Sequence, residues 1–138
     1  MFPTLVRYNK KLRNANVLHP ANRGKEDSPV TLDEVQKRVD TYISQFKEGY
    51  FSPMALLVRL TEELGELARE VNHSYGEKPK KPDEPEGSVA LELGDLLFVI
   101  TCLANRLGID LTTAFNDVMH KFETRDKNRW TRIDETSS

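Results

Sequence analysis

From Leu96 to Ala104, every residue except Thr101 is apolar. Helical signals flank this run, because Ser88 can cap a helix that contains it and Gly108 follows the helix's expected end near residue 106. A helix on the surface of a soluble domain has a polar face, so a helix that is apolar on nearly all sides must be surrounded. Three other short helices can hardly enclose it within one chain. The sequence therefore predicts a helical bundle whose core is completed by one or more further copies, as a homodimer or homotetramer.

Three further helices are predicted, and no segment alternates apolar and polar residues as a strand would. Thr31 and Glu34 have the spacing of a capping box, and the helix that they begin is expected to end at Gly49. Pro53 suits the first position of the next helix, and residues 74–88 are rich in proline and glycine, as loops are. The chain is predicted to be all-α, with about four main helices, and the predicted caps are Thr31, Ser52, Ser88 and Asp110.

The 138 residues fit one domain, and their charge is unevenly distributed. Residues 1–27 carry six Lys or Arg against two acids, which gives +4, so the remainder carries −6 of the net charge of −2. Residues 1–30 have three prolines and no sustained period, and we expect a flexible basic arm there. A helical domain is predicted over 31–132, followed by a disordered tail over 133–138.

Composition also restricts the compartment and the partners. The acidic remainder lacks the basic face of a nucleic-acid-binding protein. No apolar stretch approaches the roughly 18 residues of a membrane span, and the lone cysteine, Cys102, sits in an apolar run and cannot form an internal disulfide. We expect a cytoplasmic protein that binds neither nucleic acid nor membrane.

The pattern acid–Leu–Gly–acid–Leu occurs twice, within EELGEL at 62–67 and as ELGDL at 92–96. Acids three positions apart lie about 60° apart on a helix, and Glu92 and Asp95 fall within the arc of apolar residues that should face the core. Buried carboxylates without a partner cost several kcal/mol and repel one another, and the flanking core positions are apolar rather than basic. A hard divalent cation such as Mg²⁺ would compensate them. Gly65 and Gly94 are expected to let the two helices approach until both acid pairs reach one site.

These stretches resemble the EExxE…ExxD signature of the MazG-like nucleotide pyrophosphohydrolases. The resemblance covers about residues 31–132 and extends through FKEGYFSP (46–53), LTEELGELAREVN (60–72), LGDLLFVITCLAN (93–105) and VMHKFETRDKNRW (118–130). It implies an all-α fold of helical bundles assembled as dimers or tetramers. It also implies hydrolysis of nucleoside triphosphates to monophosphate and pyrophosphate, with Mg²⁺ as the cofactor and Mn²⁺ as a substitute.

The resemblance further assigns roles to individual residues. Glu62 is implied to orient or deprotonate the attacking water, and the implied metal ligands are Glu63, Glu66, Glu92 and Asp95. Lys121 and Arg125 match the family's basic residues near the phosphates, with ordinary salt bridges as the alternative. Phe51, with Tyr50 before it, matches an aromatic contact to the base, with core packing as the alternative. Asn128 and Arg129 could reach a substrate or a neighbouring subunit.

Two rival functions are compatible with the same residues. A non-catalytic helical adaptor would use the acids only for a structural metal, and it predicts metal-dependent stability without nucleotide turnover. A di-iron protein is suggested by the Glu-x-x-His spacing of Glu70 and His73. That motif should recur on a second helix, and at 92–95 the partner is Asp rather than His.

Overall fold

The computed structural model of the protein describes residues 30–77, 79–82 and 87–129. Within them the chain forms four helices and no strand, which confirms the all-α prediction. The helices are α1 (Leu32–Ile43), α2 (Pro53–Tyr75), α3 (Val89–Leu107) and α4 (Leu111–Thr124). The predicted arm, apart from Val30, and the predicted tail lie outside the described residues.

All four predicted caps directly precede a helix. The Glu34 amide donates to Thr31 Oγ1 at 3.2 Å and the Thr31 amide donates to Glu34 Oε2 at 2.7 Å, so the capping box is complete. Ser52 and Asp110 accept hydrogen bonds from backbone amides of α2 and α4. Ser88 occupies the cap position of α3, but its side chain makes no capping hydrogen bond.

The end of α1 differs from the prediction. The helix ends at Ile43 rather than at Gly49, and turns occupy residues 44–48. The amides of Gln45 and Phe46 bond to the carbonyls three residues earlier, so the chain tightens and leaves the α-helical path. Gly49 does have a left-handed φ of 60°, but it lies in the connection to α2.

The helices pack around α3, which contacts α2 along much of its length and α1 over a shorter stretch, while α4 packs on α1. A small core joins Val39 of α1, Leu56 of α2 and Cys102 of α3. Leu93, Leu97 and Ile100 of α3 remain 53%, 43% and 39% exposed. One chain therefore does not enclose α3, as the sequence indicated. Among the described residues no single helix is long and apolar enough to span a bilayer; only α3 and α4 together, bent by 107°, reach that length and composition.

A network of polar side chains joins α1, α3 and the connection between α1 and α2. Gln36 Nε2 donates to Asn105 Oδ1 at 2.8 Å and to the Ile109 carbonyl at 2.9 Å. Asn105 Nδ2 donates to the Gln36 carbonyl at 3.0 Å and to the Tyr50 hydroxyl at 2.9 Å. Tyr50 in turn donates to Asp40 Oδ1 at 2.9 Å. The network holds Tyr50 in place, next to the site described below.

Candidate active site

Three predicted ligands meet between α2 and α3. Glu63 of α2 and Glu92 and Asp95 of α3 each offer a carboxylate oxygen, and these oxygens all lie within 4.8 Å of one another. Glu63 and Glu92 are half-buried, whereas Asp95 is exposed. The prediction that both acids of α3 point into the core is therefore wrong for Asp95. Its position about 60° round the helix from Glu92 is enough to bring it to the edge of the packed face.

The environment of this cluster disfavours the charged form of Glu92. Loss of solvent raises the pKa of the Glu92 carboxyl above its ordinary value, and the negative charges of Asp95, Glu66, Glu70 and Glu63 raise it further. A cation placed among these oxygens would remove that repulsion. The cluster thus has the donor atoms and the unbalanced charge that a hard divalent cation requires.

Two arginines beside the acids were missed by the sequence analysis. Arg59 lies 3.2 Å from Glu62 and 3.8 Å from Glu63, and Arg69 pairs with Glu66. The sequence prediction rested on the core positions, which are apolar, whereas these arginines are exposed i+3 and i+4 neighbours of the acids on the same helix. Glu62 and Glu66 have side chains 57% and 45% exposed and lie outside the group of three carboxylates.

The prediction for the two motif glycines is also wrong within this chain. A Cβ atom added to Gly65 or to Gly94 would meet no atom within 4 Å. Neither glycine is therefore needed for α2 and α3 to approach each other. The contact between these helices depends on other positions.

An aromatic cleft of about 530 Å³ opens beside the acids, and Arg59, Glu63 and Asp95 belong to its lining. Phe51 lines it and is 61% exposed, so it lies at the cleft and not in the core. The other aromatic walls are Tyr42, Phe46, Tyr50 and Phe98. The rings of Tyr42 and Phe98 meet edge to face with centroids 6.2 Å apart. Such a pocket, apolar with a few charged groups at one side, is typical of small-molecule sites.

The predicted phosphate-binding residues lie elsewhere in the chain. The described lining of the cleft comes from α1, α2, α3 and the connection between α1 and α2, and includes no residue of α4. On α4, Lys121 lies 6.0 Å from the centroid of the neighbouring Phe122 ring. Arg125 pairs with Asp126 at 3.3 Å, and Asn128 is exposed. A single chain does not bring these three residues into the cleft.

Comparison with known proteins agrees with this fold. Residues 51–130 match the model of the MazG nucleotide pyrophosphohydrolase domain, so the chain belongs to that family and is an enzyme of that class. It is 64% identical over 108 residues to the uncharacterized protein YpjD of Bacillus subtilis strain 168, covering 78% of this chain and 97% of YpjD.

Solved structures of similar proteins are helical as well. The crystal structure of YPJD from Bacillus subtilis is 63% identical, with a TM-score of 0.64, and the match covers 70% of this chain and 99% of that one. The crystal structure of the Bacillus-conserved MazG protein, a nucleotide pyrophosphohydrolase, is 60% identical, with a TM-score of 0.63, and the match covers 74% and 99%.

Proposed function

We propose that the chain is a Mg²⁺-dependent pyrophosphohydrolase of nucleoside triphosphates. It would convert an NTP or dNTP and water into the monophosphate and pyrophosphate, which would remove unwanted nucleotides from the pool. The observation that carries the proposal is the group of three carboxylates within 4.8 Å, formed across α2 and α3 inside the segment that matches the family. Because its substrates are cytoplasmic metabolites, we expect the enzyme to act in the cytoplasm.

The donor set fits Mg²⁺. Glu63, Glu92 and Asp95 offer only oxygen ligands. Loss of solvent and then the neighbouring negative charges raise the pKa of Glu92, and a cation would offset the repulsion from those charges. Glu66, one turn after Glu63, is our fourth proposed ligand and would have to exchange its contact with Arg69 for the metal. Bound Mg²⁺ would neutralise phosphate charge and polarise the α-phosphate, and Mn²⁺ would suit the same donors.

The chain's own groups would position water and substrate. The oxygen of a water molecule would bond to the α-phosphorus, the bond from that phosphorus to the bridging oxygen would break, and pyrophosphate would leave. Glu62 is the proposed acceptor of the proton from water, and Arg59 would hold it in place, since its guanidinium contacts both Glu62 and Glu63. Phe51 and its aromatic neighbours would take the base in the cleft.

A second copy of the chain would complete the site. At 100° per residue, the exposed Leu93, Leu97 and Ile100 lie within about 60° of one another, on the side of α3 away from Glu92 and Asp95. Burying this stripe against the same stripe of another copy would give the homodimer, or a homotetramer built from two of them. Light scattering after size-exclusion chromatography would measure the assembly, and a monomer at micromolar concentration would contradict it.

The basic residues would act through that assembly. Since α4 does not reach the cleft of its own chain, we propose that Lys121 and Arg125 bind the phosphates of a nucleotide held by another copy, with Asn128 beside them. Arg125→Ala should raise KM for the nucleotide while leaving the Kd for Mg²⁺ unchanged. Equal losses in nucleotide use and Mg²⁺ binding would exclude a phosphate role.

The reaction is tested by chromatography of the products from a panel of NTPs and dNTPs, with Mg²⁺ and with EDTA. Monophosphate plus pyrophosphate should form only with metal. Asp95→Asn and Glu66→Gln should abolish turnover, whereas Asp117→Asn, a matched change at an exposed acid of α4, should not. Full activity in either site variant would overturn the carboxylate site. Metal binding without turnover of any nucleotide in the panel would favour a modified nucleotide outside the panel as the substrate, or the adaptor.

A further inference from the structure

Glu70 of α2 has no part in the mechanism above, yet it is the one acid that is buried among the residues the structure describes. It is 4% exposed and lies one turn beyond Glu66, on the same side of α2 as Glu63, seven residues earlier. Burying a carboxylate in this way is costly unless charged or polar groups surround it. The groups around the Glu70 carboxylate therefore indicate its role.

Part of the shell around Glu70 comes from the α2–α3 connection, residues 76–88. Lys80 Nζ lies 3.6 Å from Glu70 Oε2. On the opposite oxygen, Oε1, His73 Nδ1 and Arg69 Nε from α2 itself each lie at 4.0 Å. The carboxylate thus ties the first half of the connection back to the helix that it has just left.

The end of the connection also passes beside Glu70. A Cβ added to Gly87 would lie 2.2 Å from the carboxyl carbon of Glu70 and 2.4 and 2.5 Å from its two oxygens. A side chain at position 87 would therefore force the Glu70 carboxylate to move. Gly87 directly precedes Ser88, the cap residue of α3 whose side chain makes no capping hydrogen bond. The start of α3 therefore lies against Glu70 rather than being fixed by its own cap.

We propose that Glu70 is a positioning residue that, through Lys80 and Gly87, fixes the start of α3 and so places Glu92 opposite Glu63. This proposal rests on the proposed function, in which Glu92 is a ligand of Mg²⁺. Glu92 is in the first turn of α3, so a shift at Gly87 passes directly to it. Metal ligands must be held within about 0.5 Å of their working positions, which a mobile first turn would not do.

The test uses Glu70→Gln, which keeps the shape and removes the charge, and Gly87→Ala, which forces the two groups apart. Glu77→Gln is the matched control, since Glu77 is an exposed acid of the same connection. Amide hydrogen exchange over residues 88–95 and Mg²⁺ binding by calorimetry are measured on the full chain. We expect faster exchange in the first turn of α3 and a Kd for Mg²⁺ raised by about 10–100-fold in both variants, as for other groups that orient metal ligands. The control should match the parent in both.

A double variant can test whether Gly87 and Glu70 act through one contact. If Gly87 and Glu70 act through one contact, Gly87→Ala should add little to the effect of Glu70→Ala in the double variant. Fully additive losses would overturn the shared contact. Lys80→Gln replaces Glu70→Gln if that chain does not fold, because Lys80 is partly exposed and its loss removes the same ion pair.

The outcomes separate this proposal from the proposed function. Unchanged exchange at 88–95 in Glu70→Gln and Gly87→Ala overturns the positioning role, whatever the metal data. A lower melting temperature with unchanged local exchange and unchanged Mg²⁺ affinity also overturns it, since that is a general stabilising role. A parent protein that binds no Mg²⁺ and turns over no nucleotide refutes the proposed function, while the exchange data still decide whether Glu70 fixes α3.

Discussion

Replacing Asn105 with leucine would remove the centre of the polar network that joins α1, α3 and Tyr50. The change deletes the bonds to Gln36 Nε2, to the Gln36 carbonyl and to the Tyr50 hydroxyl, at 2.8, 3.0 and 2.9 Å. Leucine has a similar volume, so the variant mainly tests the hydrogen bonds and leaves little cavity.

The expected loss can be worked out from those three bonds. A typical intramolecular hydrogen bond contributes about 0.5–1.5 kcal/mol net, which gives about 1.5–4.5 kcal/mol for three. The lower half of that range applies, because most of the partners keep another bond. Gln36 Nε2 still donates to the Ile109 carbonyl and Tyr50 still donates to Asp40. We therefore expect Asn105→Leu to lower the free energy of unfolding by about 2 kcal/mol.

Urea denaturation at fixed protein concentration measures this difference. With an m value of about 2 kcal/mol/M, the midpoint should fall by about 1 M and m itself should not change. Asn116→Leu on the exposed surface of α4 is the matched control, with an expected change within about 0.5 kcal/mol. Equal midpoints for the two variants would refute the reasoning that the network joins these elements.

Two further predictions concern helix capping and the charge on Glu92. Thr31→Ala removes one arm of the capping box and should cost about 1 kcal/mol in urea unfolding, with no change contradicting the importance of the cap. Glu92→Gln should weaken Mg²⁺ binding but stabilise the metal-free protein at pH 7. The pKa of Glu92 is raised above 4.5, so its charge lowers stability above the folded-state pKa and this penalty disappears as pH falls below 4.5. In EDTA, Glu92→Gln should have a higher free energy of unfolding than the parent at pH 7 and the same value well below pH 4.5. A gain in stability that does not change with pH would contradict the charge of Glu92 as its cause.

The helix starts were predictable because their determinants are local. Thr31, Ser52 and Asp110 bond to amides two or three residues along the chain, so sequence spacing alone identifies them. The end of α1 was not predictable in this way. Turns that end a helix early depend on where its last side chains pack, and Ile43 packs against the core that Leu56 and Cys102 help to form.

The candidate site was predictable only in part. The acid motifs placed Glu63, Glu92 and Asp95 together because two helices with the same spacing can align their acids. The cleft could not be found this way, because Tyr42 and Phe98 come together from α1 and α3 and neither belongs to a recognisable motif. From the sequence, Glu70 was considered only together with His73, as a possible di-iron motif. The closeness of Gly87 to Glu70 depends on how the α2–α3 connection folds, so sequence spacing did not indicate it.

The proposed metal site and the proposed contact between copies both lie on α3. One side of α3 carries Glu92 and Asp95, and another carries the exposed Leu93, Leu97 and Ile100. The acidic side is unfavourable without a cation, and the apolar side is unfavourable without a covering surface. Since a helix moves nearly as a rigid body, covering the apolar side also restricts the acids, and Glu70 restricts the start of the same helix. The proposed binding of Mg²⁺ and the proposed assembly thus both depend on the position of α3.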